Sequence, residues 1–451
     1  TKDVLDPRAD PGPASVAFLF SGRQGAITAP FALDVLTKTV LRETLQSLGA
    51  EVELGGHDLP RIARASLVVV SPGVPPGAPP LVSARAAGVV VISEVELALA
   101  VLPGLRYIAV TGTNGKTTVT ALIAHLLRSV GVEAESAGNI GTPLSELALR
   151  RKLPAWVALE LSSFQLHDTP SIAPRVGVLT NLAPDHLDRY ESVDAYYADK
   201  ALLFRHATDA SQWIVNADDA AVMAMVRDVP GTTFRFSASG RLCDAFLGGK
   251  GKRHLIVHDE MLMTREELPL LGAHNVGNAL ASVLAVLTAD PAHESLDDLA
   301  RLAAGLRSFR APAHRLEPVV EQHGVLWIDD SKATNVASAK VAIESMTRPT
   351  ILLLGGRHKG EPYTALLDGI AAHCRIVLAF GEAAPIIESD LAGRAAVQRI
   401  EGTFADVMRR AHELARPGDA VLLAPACSSY DMFANYEERG RAFAAAAKGD
   451  G

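Results

Sequence analysis

A chain of α/β class, built from several sheets that are mostly parallel, is what this sequence predicts, and three observations predict it. Short apolar runs alternate with helical stretches from end to end, the rhythm of parallel sheets covered by helices. The 451 residues exceed what one hydrophobic core of ordinary size supports, and breaks at Pro103-Gly104 and just after Ser308 divide them into three domains, 1–103, 104–308 and 309–451. The run Tyr107-Ile108-Ala109-Val110-Thr111 leads into Gly112-Thr113-Asn114-Gly115-Lys116-Thr117-Thr118, which reads as strand, phosphate loop and helix.

Composition narrows the class of function. With 48% hydrophobic and 21% charged residues the chain is an ordinary globular one, and its net charge of -8 argues against broad nucleic-acid binding. The three cysteines, Cys243, Cys374 and Cys427, are far apart, which suits neither a disulfide framework nor a zinc site and points to a reducing compartment. No apolar run approaches the ~20 residues that span a bilayer, and Thr1-Lys2-Asp3-Val4 lacks a signal-peptide core, so a cytoplasmic protein without membrane contact is expected.

In the first domain the apolar runs are Val16 to Phe20, Val68 to Val70 and Val89 to Ile92. The first opens on Phe20-Ser21-Gly22-Arg23-Gln24-Gly25, which keeps two glycines of a dinucleotide-type loop. Thr37 to Leu45 reads as helix, and no second strand can be placed before Gly55. Ser71-Pro72-Gly73-Val74-Pro75-Pro76 is a stiff loop at a sheet's carboxyl edge, where ligands are met as readily as plain turns.

The second domain is organised by the phosphate loop. Its glycines let backbone N–H groups face a polyanion, Lys116 can neutralise the outer phosphates, and the Thr117 hydroxyl can ligate Mg²⁺. Val119, Leu122, Ile123, Leu126, Leu127 and Val130 share one helix face, with Gly131 at the C-terminal cap. A strict phosphate-loop pattern has glycine where Val110 stands, so this loop is a shortened variant. Further strands are read at Trp156 to Leu161, Val176 to Asn181 and Trp213 to Asn216. Glu160 leaves a core strand, a usual post for a carboxylate that holds a nucleotide's metal; the plain alternative is a solvated strand end. Thr180-Asn181-Leu182-Ala183-Pro184-Asp185-His186-Leu187-Asp188 crowds hard ligands that suit Mg²⁺. Lys200 falls on a helical stretch, where exposure to solvent is the default. Gly272 to Leu280, with Asn275, opens an apolar helix.

In the third domain strands run from Val325 to Ile328, Ile351 to Leu354, Ile376 to Phe380 and Val421 to Leu423. The loops that follow three of them, Asp329 to Asn335, Gly355 to Gly360 and Pro425 to Asp431, carry polar and cationic groups toward one crevice.

Taken together, Gly112 to Thr118, Asp330-Ser331-Lys332-Ala333-Thr334-Asn335, Ser162-Ser163-Phe164-Gln165-Leu166 and Pro425-Ala426-Cys427-Ser428-Ser429 resemble the Mur ligase family, and within it the branch that adds D-glutamate. The resemblance runs from about Val68 to Arg439. It implies a Rossmann-like N-terminal domain, a central P-loop ATPase-like domain and a Rossmann-like C-terminal domain. The implied reaction is ATP-dependent: a substrate carboxylate becomes an acyl phosphate that the amine of D-glutamate attacks, as in peptidoglycan precursor synthesis. The implied partners are small molecules, ATP, D-glutamate and UDP-N-acetylmuramoyl-L-alanine, bound by a monomer.

Residue by residue, the resemblance gives the loop Gly112, Thr113, Asn114, Gly115, Lys116, Thr117 and Thr118 to the ATP phosphates. Two Mg²⁺ ions are implied, with Thr117 and Glu160 on one and His186 on the other. Lys200 matches a lysine that the family carbamylates into a metal ligand. Asn275, Arg315 and Asp330 would hold adenine, phosphate and ribose. Ser21, Gly22, Arg23, Ser71 and Gly73 would hold the UDP moiety, and Asn139 the muramoyl substrate or the nucleotide. Thr334, Lys359, Ser429, Tyr430 and Tyr436 would form the D-glutamate pocket. Two departures stand out: Phe20 where the family has a third glycine, and His358 where it often has glycine before the lysine. Two rival readings are another ligase on the same fold, including a folylpolyglutamate synthase, and a non-catalytic nucleotide-binding relative. The presence of Lys116, Glu160, His186 and Lys200 argues against the second.

Overall fold

The computed structural model describes residues 16–19, 46–47, 51, 57–71, 74, 77–185, 189–290, 293, 295–311 and 313–449. Contacts among them separate two compact units: the described residues up to 269 with 275–309, and 270–274 with 310–449.

The first unit holds two sheets. The smaller is fully parallel in the order β1 (Val16–Leu19), β2 (Leu67–Val70), β3 (Val90–Ser93). All four residues of β2 are buried, because helices cover both faces of a parallel sheet: Val68 and Val70 pack with Leu81 and Ala84 of the helix Pro79–Ala86, and Leu67 and Val69, with Ile92 of β3, against Leu97 of the helix Glu94–Val101. The helix Pro79–Ala86 starts with prolines in its first turn, where a missing N–H costs nothing.

The larger sheet comprises β4 (Tyr107–Thr111), β5 (Ala134–Gly138), β6 (Trp156–Glu160), β7 (Val176–Leu179), β8 (Gln212–Asn216), β9 (Thr232–Ser237), β10 (Ala245–Gly248), β11 (His254–Val257) and β12 (Glu260–Thr264). Its order is β12-β11-β10-β9-β8-β7-β4-β6-β5; β4 to β10 are parallel, β11 is antiparallel to β10 and β12 is antiparallel to β11. The chain leaves β4 toward β5 and β6 on one side and later returns to place β7 on the other. That reversal makes the carboxyl end of β4 a switch point, where α/β sheets open a crevice for ligands. The helix Lys116–Ser129 buries Val119, Leu122, Ile123, Leu126 and Leu127, as the apolar spacing predicts, and packs against the helix Leu296–Ser308.

The second unit is one sheet in the order β13-β14-β18-β15-β16-β17, formed by β13 (Glu317–Gln322), β14 (Val325–Asp329), β15 (Thr350–Gly355), β16 (Cys374–Phe380), β17 (Val397–Arg399) and β18 (Ala420–Leu423). Only β13 is antiparallel. Alternate residues of the central strands feed two cores, one per face: Leu352, Leu354 and Leu422 on one, Ile351, Leu353 and Leu423 on the other.

The α/β class and the strands at β4, β6, β7, β8, β14, β15, β16 and β18 fall where the apolar runs place them. The helix read at Thr37 to Leu45 lies outside the described residues. Among the described residues no helix is long and apolar enough to cross a membrane.

Candidate active site

The loop between β4 and the helix Lys116–Ser129 is shaped by two close approaches. Gly112 has φ 142°, and a Cβ there would stand 2.0 Å from the Thr180 hydroxyl; Gly115 has φ 81°, and a Cβ would stand 2.5 Å from Asn278 Oδ1. Side chains are excluded at both places by neighbours as well as by backbone conformation. The segment after β7 clamps the loop. Thr113 N–H donates to the Asn181 carbonyl at 2.9 Å, and Asn114 N–H donates to Asn181 Oδ1 at 2.9 Å. The Asn114 carbonyl accepts from Asn181 Nδ2 at 3.0 Å and from the Thr180 hydroxyl at 2.6 Å. Thr113 Oγ1 accepts from Ala183 N–H at 3.0 Å and from the Tyr196 hydroxyl at 3.4 Å. The clamp is itself held, since Asp219 Oδ2 accepts from Leu182 N–H at 2.7 Å. A loop pinned along its length presents its remaining N–H groups without first being ordered.

Two lysines converge on one oxygen of this loop. Lys116 Nζ donates to the carbonyls of Gly112 and Thr113 at 3.0 and 2.7 Å, and Lys200 Nζ donates to the same Gly112 carbonyl at 2.7 Å. Lys200 is 1% exposed and lies 4.6 Å from the Tyr196 ring centroid, which corrects the expectation of a solvated lysine: the helix Val193–Ala201 turns this residue inward. Burial, then the charge of Lys116, pushes the Lys200 pKa well below the usual lysine range, against Asp185, Asp199 and Glu160. Both causes act against the ammonium form.

Glu160, the last residue of β6, is 2% exposed, so the plain alternative of a solvated strand end does not hold. Its Oε1 accepts from Asn139 Nδ2 at 3.0 Å, while Asn139 N–H donates to the Glu160 carbonyl at 3.0 Å. Glu160 Oε2 is buried and has no hydrogen-bond partner among the described residues. A partnerless buried carboxylate oxygen is costly and is the donor a hard cation takes, so these residues fit Mg²⁺. Thr117 and Thr118 are buried in the first turn of the adjoining helix.

His186, Ser21, Gly22, Arg23 and Gly73 lie outside the described residues. Ser71 is described and lines a recess with Val70, Ser93, Phe164, Gln165 and His167. Asn275 is buried in the helix Ala273–Ala289, and its Oδ1 accepts from Asn278 Nδ2 at 2.8 Å; Asn278 is the side chain that limits Gly115.

In the second unit the loops after β14, β15 and β18 form a second cluster. Asp330 Oδ1 accepts from Leu316 N–H at 3.1 Å, and burial pushes its pKa up to about 7 against the charge of Arg315. His314 Nδ1 lies 2.6 Å from Asp329 Oδ2, a contact that raises the histidine pKa. Lys359 Nζ stands 3.5 Å from Thr334 Oγ1, so two residues assigned to one pocket do meet, across loops 25 positions apart. Ser429 is buried and Tyr430 half exposed. Tyr436 heads the helix Tyr436–Lys448; its carbonyl accepts from the Ser331 hydroxyl at 2.8 Å and its own hydroxyl from Lys332 Nζ at 2.9 Å.

The sequence reading passed over Arg439, which is fully buried beneath these loops. Its guanidinium donates to Ser331 Oγ and the Ser331 carbonyl at 2.9 and 2.8 Å and to the Cys427 carbonyl at 3.2 Å. It thus joins the loops after β14 and β18, and burial lowers its pKa to about 10. Within Glu437-Glu438-Arg439-Gly440 nothing marks it as buried. Tyr196, Asn278 and Asp219 were also passed over, each polar on a helix or at a helix cap, where solvent exposure is the ordinary expectation.

Comparison with known proteins gives concordant results. Residues 110–286 match the model of the Mur ligase middle domain and 314–427 that of the Mur ligase glutamate ligase domain. A UDP-N-acetylmuramoylalanine–D-glutamate ligase of Acidobacterium capsulatum is 40% identical over 435 residues, covering 95% of this chain and 92% of the relative. One of Anaeromyxobacter dehalogenans is 41% identical over 423 residues, 90% and 89% of the two chains. Among solved structures, UDP-N-acetylmuramate-alanine ligase of Thermotoga maritima aligns with a TM-score of 0.61 at 18% identity over 97% of this chain and 100% of its own. The MurF ligase of the same organism in complex with ADP aligns with a TM-score of 0.61 at 17% identity over 86% and 90%.

Proposed function

The chain belongs to the Mur ligase family, within its D-glutamate-adding branch, and from that premise we propose that it is an ATP-dependent ligase that joins D-glutamate to UDP-N-acetylmuramoyl-L-alanine in peptidoglycan precursor synthesis. The observation that carries the chemistry is the meeting of Lys116, Lys200 and Glu160 around the pinned loop at the β4 switch point.

In this reading the loop from Gly112 to Thr118 receives the ATP phosphates at a helix N-terminus, and Lys116 moves its ammonium from its own loop carbonyls to the transferring phosphoryl group. Charge neutralised in a fixed, poorly solvated site favours the transition state over the ground state. The substrate carboxylate attacks the terminal phosphorus, ADP leaves, and the acyl phosphate is then attacked by the amine of D-glutamate with loss of phosphate and a proton. Thr117 and Glu160 would hold one Mg²⁺ and His186 a second; when bound, the ions neutralise phosphate charge. Asn139 orients the Glu160 carboxylate through Oε1 and leaves Oε2 for the metal. Lys200 suits carbamylation because a buried neutral amine can add to carbon dioxide, forming an N–C bond and losing a proton. The product is an anion beside Lys116.

Asn275, Arg315 and Asp330 are assigned to adenine, phosphate and ribose. Lys359, Thr334, Ser429, Tyr430 and Tyr436 are assigned to D-glutamate, with Ser21, Gly22, Arg23, Ser71 and Gly73 on the UDP moiety. Residues 1–103, 104–308 and 309–451 are the corresponding UDP-substrate, ATP and amino-acid domains of a cytoplasmic monomer. The test is phosphate release with ATP, Mg²⁺ and UDP-N-acetylmuramoyl-L-alanine across a panel of acceptors. Release with D-glutamate and not with L-alanine, a diamino acid or a dipeptide is expected, along with loss of activity in Lys200→Ala. A ¹³C carbamate resonance from the wild type under ¹³CO₂, missing in that variant, is the expected mark of the modified lysine. Release driven equally by another acceptor would overturn the assignment.

A further inference from the structure

Lys359 is exposed and lies in the loop that runs from the end of β15 to the buried Tyr363. Gly356 lies against the Ser428 carbonyl, and Arg357 and Ser428 exchange backbone bonds of 2.8 and 3.2 Å, so the loop after β15 is joined to the loop after β18 as far as residue 357. The Arg357 guanidinium is occupied on the surface by Glu382. Gly360 follows with φ 89° and open space where a side chain would stand. Between these limits the side chains of Lys359 and His358 both reach the rest of the protein, Lys359 to Thr334 and His358 to the buried Tyr363. His358 Nδ1 lies 3.0 Å from the Tyr363 hydroxyl, with the two rings 5.4 Å apart.

Tyr363 is a stiff strut. It is fully buried, its N–H donates to Asp390 Oδ2 at 2.9 Å, and its hydroxyl lies 2.9 Å from Cys427 Sγ, in the loop that also carries Ser429. Burial raises the tyrosine pKa and pushes the Cys427 thiol up to about 11, so both keep their protons at neutral pH. A proton-keeping thiol and hydroxyl can align in one direction, thiol to phenol oxygen and phenol to imidazole nitrogen, with the histidine as terminal acceptor.

We propose that His358 is a positioning residue for the acidic acceptor: by docking on the Tyr363–Cys427 pair it fixes the backbone from which Lys359 reaches Thr334. A lysine on a four-carbon stem has many rotamers, and a backbone held one residue earlier reduces the search that acceptor binding must otherwise restrict. The proposal rests on the reading of Lys359 as a ligand of the acceptor carboxylate, and the test separates the two.

The experiment measures Michaelis constants for D-glutamate, ATP and the UDP substrate, and the melting temperature, in His358→Ala, His358→Asn, Lys359→Ala and the double variant His358→Ala/Lys359→Ala. His358→Ala raises the constant for D-glutamate by about 3- to 10-fold, the range of coupling between neighbours, with the other two constants unchanged. His358→Asn, which keeps an acceptor near the place of Nδ1, recovers most of the loss. In the double variant the His358 substitution adds nothing to Lys359→Ala. An unchanged D-glutamate constant in His358→Ala, additive effects in the double variant, or a matched loss for all three substrates with a lowered melting temperature would overturn the proposal alone. An unchanged constant in Lys359→Ala would overturn the reading of Lys359, and this proposal with it.

Discussion

Asp330 is a carboxyl group that the folded chain prefers to keep protonated. Burial moves its pKa from 3.8 to about 7, while the unfolded chain returns it to the ordinary range. Between about pH 4 and 7 the folded state therefore holds a proton that the unfolded state has lost, and stability falls as pH rises through that window. Three pKa units correspond to at most ~4 kcal/mol, all of it forgone above pH 7. Asp330→Asn keeps an acceptor for the Leu316 N–H and removes the ionisable group. The variant should unfold at higher urea than the wild type at pH 8, with the gap closed by pH 5, and should use ATP more poorly at both. A gap that does not vary with pH would refute this account. The group looks ordinary in the sequence, because its shift depends on strands and loops folded over it. Lys116 is the opposite case: its role is readable from Gly115 before it and Thr117 after it. Lys200 and Arg439 carry no such local mark, and only the tertiary fold makes them interior basic groups.

At the scale of elements, what could be read was what periodicity encodes. Runs such as Trp156 to Glu160 and Thr350 to Gly355 are buried along their whole length and read as strands without help. Ala134–Gly138 is a strand whose residues, Ala-Glu-Ser-Ala-Gly, carry no apolar run, and β6 alone defines it as one by pairing. The region from β9 to β12 was likewise unread, since its half-buried strands alternate weakly and end in turns at His258 and Asp259 with positive φ. The phosphate loop allows a sharper test, because Gly115 and Gly131 bracket the same helix with similar φ values of 81° and 87°. Alanine at either meets the left-handed penalty of about 1–2 kcal/mol. At Gly131 the added methyl group finds open space; at Gly115 it meets Asn278. Gly131→Ala should lower the melting temperature by a few degrees and leave the Michaelis constant for ATP alone, whereas Gly115→Ala should raise that constant by about tenfold or more. Equal effects on ATP use would show that backbone conformation, and not the approach of Asn278, shapes the loop.

For the whole molecule, the division into two units makes the second one a candidate for independent folding. Residues 310–451 carry both cores of their sheet, and Trp327, the one tryptophan beyond Trp213 in the sequence, is packed 4.2 Å from His412 and 6.0 Å from Phe443. A fragment of 310–451 should unfold cooperatively in urea when followed by Trp327 fluorescence, at a somewhat lower midpoint than in the full chain because Leu271, which packs on one core, is left out. A gradual, non-cooperative change would count against autonomy. The strand order has a further effect during synthesis. The last strand made, β18, lies between β14 and β15, both of which leave the ribosome well before it. At roughly 5–20 residues per second the nascent chain spends several seconds with those two strands unable to meet. A premature stop codon after β15 therefore yields a sheet without its middle, with two bare edges that can capture strands of other chains, so late truncation invites aggregation and degradation rather than a slightly shortened enzyme.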